Sequence, residues 1–460
     1  MNQSPKNQSI LVRWQAALLD AWQHDQTRKR LWALAIPMIL SNLSVPMVSL
    51  VDTAVIGRLP HAYQLGAVAV GASLYTLLVW VCGFLRMACT GFAAQAAGQK
   101  DFALLRLILW QSLILGVLLT LMLVGAAVPL TDSALQLMNA SPDLHATARE
   151  YFQIRLWGLP AALLMHVLAG WLLGVQNARA ALWMLLAANL CNVILDIYFV
   201  LGLHWEVAGA ARASVIAEWL GAITGLILAS GYLRKHPAVA GWARLLSWQQ
   251  WRPLLAANRD ILLRSLALQA VFFMVTVQGA RLGDSTVAAN ALLLNGLMLT
   301  AFALDGLAHA LEALTGHAIG ARDGLALRRA LLLTLLYSLL ASLGFALLFM
   351  LMGDYFIALQ TSMQAVQAIA KEYLIYLAVL PLIAVWSYVL DGLFIGASRA
   401  REMRNGMLVA VVLSAPIAWL LQPLGNHGLW LAFLSFMLLR ALCLLPATKK
   451  LLQGIPRHAF

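Results

Sequence analysis

Residues Ala94-Gln-Ala-Ala-Gly98-Gln-Lys100-Asp101 return 222 positions later as Gly316-His-Ala-Ile-Gly320-Ala-Arg322-Asp323. The same offset aligns Gly57 with Gly279, Ala67 with Ala289, Arg106 with Arg328 and Glu150-Tyr151 with Glu372-Tyr373. It also aligns Gly170 with Gly392, Gly174 with Gly396 and Ala178-Arg179 with Ala400-Arg401. A constant register over so many positions marks a duplicated chain rather than chance.

The repeated unit is apolar. Of 460 residues, 62% are hydrophobic and 11% charged, and the mean hydropathy is +0.81. Soluble domains carry about 25% charged residues, so the chain reads as an integral membrane protein. Apolar runs long enough to span a bilayer as helices fall at 31–56, 64–90, 104–130, 150–174, 182–203, 208–233, 258–280, 286–315, 328–353, 373–396, 405–424 and 428–446. They are too long and too uniform for the short alternating strands of an outer-membrane barrel. Six is an even number, so both halves traverse the membrane in the same sense. The expected fold is all-α, with twelve transmembrane helices in two parallel six-helix repeats around a central cavity. The N-lobe takes 31–233 and the C-lobe 258–450. A basic linker, 234–257, joins them, and 1–30 and 451–460 form polar ends. Repeats that rock about a shared midplane site suit alternating access; the competing reading is a duplication that only built a stable bundle.

The net charge of +12 invites a nucleic-acid reading, but its distribution excludes one. If both ends face the cytoplasm, the inner segments hold most Lys and Arg, including Arg28, Lys29, Arg30, Lys100, Arg106, Arg179, the basic residues of 234–264 with Arg264 among them, Arg322, Arg328, Arg329, Arg399, Arg401, Arg404, Lys449 and Lys450. The outer segments hold Arg58, Arg149, Arg212, Arg281 and Lys371. This is the positive-inside bias, and it places both termini in the cytoplasm. Cys82, Cys89, Cys191 and Cys443 all fall in spans without a C-x-x-C pair, so neither disulfides nor a zinc site are expected. Residues 1–30 lack a short apolar core with a cleavage site and read as a cytoplasmic segment, amphipathic or disordered, rather than a signal peptide. No P-loop, H-E-x-x-H or G-x-S-x-G occurs, which argues against ATP use and the familiar hydrolases. No cofactor is expected.

Against this background each intramembrane acid is a candidate for function. Asp52 stands in Pro46-Met-Val-Ser-Leu-Val-Asp52-Thr-Ala-Val-Ile-Gly57, in a span with no other charge from Leu31 to Ile56. Removal from water favours the neutral form of a carboxylic acid, the basis of a proton carrier. Asn192 and Asp196 lie four apart, on one helix face, with Asn189 a turn before and Tyr198 just after. The Asn side chains can instead be interhelical glue. Asp305 and Glu312 share a face two turns apart, and Asp391 precedes Gly392. These three read as cation-attracting cavity acids, or as acids neutralised by Arg86 or another base. Glu218 has no evident role. At the repeat offset Asp52 meets Met274, Asp196 meets Ala418 and Asn192 meets Ser414, while Asp305, Glu312 and Asp391 meet Gly83, Thr90 and Ala169. The two lobes therefore differ in their acids. Pro37 and Pro46 weaken the backbone ladder of the first span and favour bending. The Met and Trp content suits an adaptable cavity but is mostly packing and interfacial belts.

Four stretches together resemble the multidrug and toxic compound extrusion (MATE) transporters: Ile36-Pro37-Met through Asn42 and Pro46 to Asp52-Thr-Ala-Val-Ile-Gly57, Asn192-x-x-x-Asp196, Leu304-Asp305-Gly-Leu-Ala-His-Ala-Leu-Glu312, and Leu390-Asp391-Gly-Leu-Phe-Ile-Gly396. The last two are similar to the DinF-like branch. The resemblance covers about residues 30–450. It implies multi-pass residence in the bacterial inner membrane and export of small organic, often cationic compounds in exchange for H⁺ or Na⁺. It places Asp52, Asn192 and Asp196 on the N-lobe coupling residues; Asp305, Glu312, Asp391, Asn189, Tyr198 and Met274 are the expected residues of the substrate cavity. Sodium-coupled relatives carry Glu where this chain has Met274 in Phe272-Phe-Met-Val-Thr276, so protons are the expected ion. The expected partners are organic substrates and lipid, with the protein a monomer. A lipid-linked flippase of the same superfamily is the second reading; its pyrophosphate would favour a cationic cavity, against these acids.

The charge bias makes a topological prediction. Reporter domains fused at Met1 and at Phe460 will both be active only in the cytoplasm, and a reporter fused in the loop near Arg281 will be active only outside; the opposite pattern would refute the orientation.

Overall fold

The computed structural model describes residues 10–137, 141–239 and 241–454. The outermost parts of the two expected polar ends, 1–9 and 455–460, lie outside the described residues. In chain order the helices are α1 (Ile10–Gln23), α2 (Asp25–Ile56), α3 (Ala62–Val81), α4 (Phe84–Gly98), α5 (Phe102–Leu137), α6 (Pro142–Leu156), α7 (Leu159–Gly174), α8 (Ala178–Asp196), α9 (Glu206–Lys235), α10 (Trp242–Leu246), α11 (Trp248–Arg281), α12 (Asp284–Gly320), α13 (Gly324–Gln360), α14 (Gln364–Glu372), α15 (Leu374–Gly396), α16 (Ala400–Leu421) and α17 (Gly425–Gln453). No strand occurs among the described residues. Helices suit such apolar runs because hydrocarbon offers no partner for backbone N–H and C=O groups.

Among the described residues ten stretches are long and apolar enough to cross a membrane, and eleven if α6 and α7, bent by 49°, form one span. One of the ten, Ala400–Gln453, has 54 residues. As a single helix it would run about 80 Å, against a hydrocarbon core of about 30 Å. It breaks at Gln422–Leu424 and at Gly425, whose φ is 59°, and α16 packs along α17. This stretch is therefore a helical hairpin of two spans, which gives twelve. The sequence did not foresee the Trp157–Gly158 break between α6 and α7, nor the Cys82–Gly83 break between α3 and α4. The last ten residues of the expected linker are helical and belong to α11.

The chain divides into two compact units. One is Leu40–Leu262; the other combines Met1–Ile39 with Leu263–Phe460. The boundary falls inside α2, between Pro37 and Pro46, and α2 runs through both prolines as one helix. In the second unit α1 lies on α13, where Arg329 Nε and Nη2 donate to Asp20 at 2.8 Å each. That hydrogen bond holds the Asp20 carboxyl below the usual carboxylate range. The core of this unit gathers Phe349, Leu377, Trp430, Phe433 and Phe436. Its buried Asn290 and Asn426 side chains bond each other at 2.7 and 3.0 Å, and Trp430 Nε1 donates to Asn290 at 2.9 Å.

The repeat is written in the backbone. Lys100 and Arg322 both adopt left-handed φ, 58° and 56°, as do Gln176 and Ser398, 59° and 54°. Such residues end helices by turning the chain so that the next amide reaches back to an unpaired carbonyl. Asp101 N bonds Ala96 O at 3.0 Å and Asp323 N bonds Ala318 O at 2.8 Å; Asn177 N bonds Leu172 O at 2.9 Å and Arg399 N bonds Phe394 O at 3.0 Å. Arg106 Nη2 caps Leu233 O at 2.6 Å, and Arg328 Nη2 caps Leu452 O at 3.3 Å. Close helix approach is repeated too. A Cβ on Gly170 would collide with the Arg86 carbonyl of α4, and one on Gly392 would lie 2.6 Å from the Ala308 carbonyl of α12. One turn on, a Cβ on Gly174 would lie 2.9 Å from Thr90 O, and one on Gly396 would collide with Glu312 O. The neighbours here are backbone and cannot swing away.

Gly170→Ala and Gly392→Ala should each destabilise their own unit by about 1–3 kcal/mol, the usual cost of overpacking. The check is a lowered thermal unfolding midpoint in detergent, with Gly231→Ala, where a Cβ meets nothing within 4 Å, as the neutral control.

Candidate functional site

Asp52 sits one turn before the end of α2, half-buried, and Asp196 is the last residue of α8, 1% exposed. Both belong to the unit Leu40–Leu262. Their carboxyls face each other closely enough to bond through a shared proton. Asp52 Oδ1 and both Asp196 carboxyl oxygens are buried without a hydrogen-bond partner. Two carboxylates offer acceptors only, so no donor stands between them until a proton arrives. Asn192, one turn before Asp196, donates from Nδ2 to Ser214 Oγ at 3.2 Å while its buried Oδ1 is unpartnered. Beyond Asp196 the chain widens into a π-helical segment, Ile197–Gly202, with Leu203 N bonding Tyr198 O at 2.9 Å. Such segments concentrate at functional sites.

A second charged group lies beside the acids. Arg155 of α6 donates from Nη2 to Glu218 Oε1 of α9 at 2.8 Å. Tyr75 of α3 gives its hydroxyl to the same carboxylate at 3.0 and 3.2 Å, and its ring lies 3.9 Å beneath the Arg155 guanidinium. The Arg155 charge acts on Asp52, Asp196 and Tyr151 alike. Gly158, at the α6–α7 break, makes room for Glu218: a Cβ there would collide with its carboxylate.

The acids of the other unit are arranged differently. Asp391 on α15 takes Arg264 Nη2 of α11 and Arg440 Nη2 of α17, the latter at 3.0 Å. Both arginines are 5% exposed. Asp305, Asp391, Arg264 and Arg440 all act on the half-buried Tyr388. Glu312 is 2% exposed, on the α12 turn that packs against Gly396. Met274 is 56% exposed and Tyr198 55%. Asn189 Nδ2 donates to Ser44 Oγ at 2.7 Å, tying α8 to α2. The structure thus brings Asp52, Asn192 and Asp196 together, and places Asp305 and Asp391 around Tyr388. Arg264, counted from sequence among the inner-face charges, is buried against Asp391. Sequence reading gave no role to Arg155, Glu218 or Arg440, although each is a lone charge in an apolar run that must find a counter-charge. Tyr75, Tyr151 and Gly158 carried no such signal.

A multi-pass helical protein made of two repeated halves, with an unneutralised acid pair in one of them, has the form of a membrane transporter. Comparison with known proteins agrees. The family model MatE matches residues 37–198 and 261–420, one segment in each half, and the two segments end 222 residues apart. The chain belongs to the MatE family. DNA damage-inducible protein F of Escherichia coli (strain K12) is 45% identical over 417 residues, which cover 90% of this chain and 91% of that one. The Pseudomonas aeruginosa protein named multidrug resistance protein PmpM is 26% identical over 434 residues, 87% of each chain. Among solved structures, a MATE protein in the bent conformation superposes with a TM-score of 0.84 at 19% identity, covering 93% of this chain and 96% of that one. An outward-facing multidrug resistance MATE family transporter gives 0.82 at 20% identity, with the same coverage.

Removing the shared carboxylate of the second cluster should be costly. Asp391→Asn leaves two buried guanidiniums facing each other, and breaking a buried pair in this way costs about 3–5 kcal/mol. Differential scanning fluorimetry in detergent is expected to show a large fall in midpoint, whereas Asp354→Asn, whose partner Lys371 is itself substantially exposed, should leave it within a degree or two.

Proposed function

We propose that the protein is a secondary active multidrug efflux transporter of the inner membrane. It exports small organic compounds, cationic or amphipathic, by proton-coupled antiport with alternating access. The observation that carries this reading is the Asp52–Asp196 pair, whose buried oxygens lack a donor. An acid pair of this kind is completed by a proton, and the two groups then titrate as one unit. In the proposed cycle a proton from outside is taken up by the pair, the drug leaves outward, and the proton passes to the cytoplasm as the protein resets. For a substrate without net charge, one proton moved inward through 100 mV supplies about 2.3 kcal/mol, enough for roughly a fortyfold gradient; a monovalent cation exchanged one for one is driven by ΔpH alone. Pro37 and Pro46 leave gaps in the α2 ladder on either side of the boundary between the units, and α2 carries Asp52. This suits a helix that changes shape with the protonation of its acid. The names of the relatives, multidrug resistance protein PmpM among them, support the substrate class, and the positive-inside bias supports cytoplasmic termini. The transporter works as a monomer without a cofactor.

Sodium-coupled exchange is the alternative. Met274 cannot ligate Na⁺ as a Glu would, and Asp391 is already held by two arginines, so protons are favoured. A flippase for lipid-linked precursors is disfavoured by the carboxylates of the first cluster.

The test is export of a fluorescent organic cation in everted vesicles under an imposed ΔpH or an imposed Na⁺ gradient. The wild type is expected to respond to ΔpH and not to Na⁺, and Asp52→Asn to lose at least tenfold in rate. Export by Asp52→Asn at the parental rate would sink the coupling role of the pair.

A further inference from the structure

The Arg155 guanidinium is only partly used. Its Nη2 binds Glu218, but Nε and Nη1 are buried with no hydrogen-bond partner, and the residue is 9% exposed. Unused donors of a buried charge are expensive, and a state of the protein in which they stay unused needs a reason. In the same unit, within the reach of its charge, stand three buried carboxyl oxygens of Asp52 and Asp196 that also lack a partner. Unused donors and unused acceptors thus stand in one unit, within reach of the same charge, without being joined.

We propose that Arg155 is the conditional counter-ion of the Asp52–Asp196 pair, a positioning residue shared between a permanent partner, Glu218, and a partner it acquires when the pair gives up its proton. This deepens the proton-coupled reading and rests on it. With the proton shared between Asp52 and Asp196, the pair supplies its own hydrogen bond, and Arg155 answers to Glu218 alone. When the O–H bond breaks and the proton departs, two carboxylates face each other with no donor. The free Nε–H and Nη1–H groups then take up the new negative charge, and among the described residues no other cation acts on the pair. The groups that surround the guanidinium are Tyr75 of α3, Tyr151 of α6, Glu218 of α9, Asp196 of α8 and Asp52 of α2. Of these, Glu218 competes directly for the cation. Tyr75 steadies that competition from two sides, with its ring under the guanidinium and its hydroxyl on Glu218. Gly158 leaves the space in which Glu218 sits. The pair's hold on its proton is therefore set by how Arg155 is divided between two claimants.

This gives substitutions of opposite sign. Arg155→Gln removes the cation, so the pair keeps its proton to higher pH. The midpoint of the pH profile for export should move up by about one unit, a tenfold change in proton affinity. Glu218→Gln removes the competitor, hands the whole charge of Arg155 to the pair, and should move the midpoint down by a similar amount. Arg155→Lys, which keeps the charge without the fork, should lie nearer the wild type than Arg155→Gln. The measurement is the initial rate of fluorescent-cation export from full-length protein in proteoliposomes between about pH 5 and 9, with thermal unfolding as the check on folding. A purely structural Arg155–Glu218 lock would lower the amount of folded protein and leave both midpoints unmoved, and that result overturns the proposal. So would shifts of the same sign. If Arg155→Gln does not fold, Glu218→Gln alone decides: a downward shift supports the proposal, and an unmoved or raised midpoint refutes it. A wild type whose export is indifferent to pH and to ΔpH would instead refute the proton reading itself.

Discussion

A charge that leaves water must find a counter-charge, a set of hydrogen bonds or a proton, and nearly everything specific about this protein follows from where each of those answers is used. Asp391 is answered by Arg264 and Arg440. Glu218 is answered by Arg155 and Tyr75. The Asp52–Asp196 pair feels the Arg155 charge at a remove but makes no direct ion pair with it, and its two carboxyls, both acceptors, leave buried oxygens without a hydrogen-bond partner. Among the described residues that leaves an acid pair at which the proposed reading places a proton. A fixed ion pair holds its site in a single state; an acid pair short of a donor has two, and two states are what coupling to a gradient requires.

The duplicated halves separate scaffold from chemistry. Equivalent positions do equivalent backbone work. Left-handed Lys100 and Arg322 end one helix, left-handed Gln176 and Ser398 end another, and Gly170 and Gly392 admit a neighbouring carbonyl at equivalent positions of the repeat. These features depend on main-chain geometry, which tolerates little change. The polar side chains diverge. Where one half has Asp52 the other has Met274, and where one has Ala169 the other has Asp391. Each half keeps the frame of its twin and carries a different electrostatic load: a balanced, pinned cluster in one and a titratable pair in the other.

Much of this was legible before any coordinates. The 222-residue register fixed two halves because helix caps and glycine contacts recur with the frame that needs them. The apolar runs gave the spans, since a bilayer-crossing helix has a minimum length. Asp52, Asn192 and Asp196 stood out as polar groups with no water to satisfy them. Less was visible where meaning depends on distance through space. Arg155 and Glu218 are 63 residues apart and join two helices, and Arg264 looked like one more basic residue of a cytoplasmic segment until the fold buried it against Asp391. The α6–α7 break at Gly158 and the π-helical segment after Asp196 have no periodicity of their own. Both are set by packing, which overrides local propensity.

Those two irregularities matter for how the site can move. Asp52 lies in the last turn but one of α2, and Asp196 stands where regular α-helix gives way to the π-helical segment. Each carboxyl is therefore carried by backbone next to a place where the i to i−4 ladder ends or loosens, so a change in their separation strains few main-chain hydrogen bonds. Arg155 and Glu218 stand on the opposite kind of support. Arg155 lies in the last turn of α6, Trp219 Nε1 bonds Trp157 O at 3.0 Å across the break, and Gly158 fits against Glu218. A yielding pair beside a braced cation can respond to one proton by shifting the acids while the counter-charge holds its place. On the proposed proton-coupled reading, such an arrangement would turn the gain or loss of a single proton into movement of α2 and α8 rather than into a general loosening of the bundle.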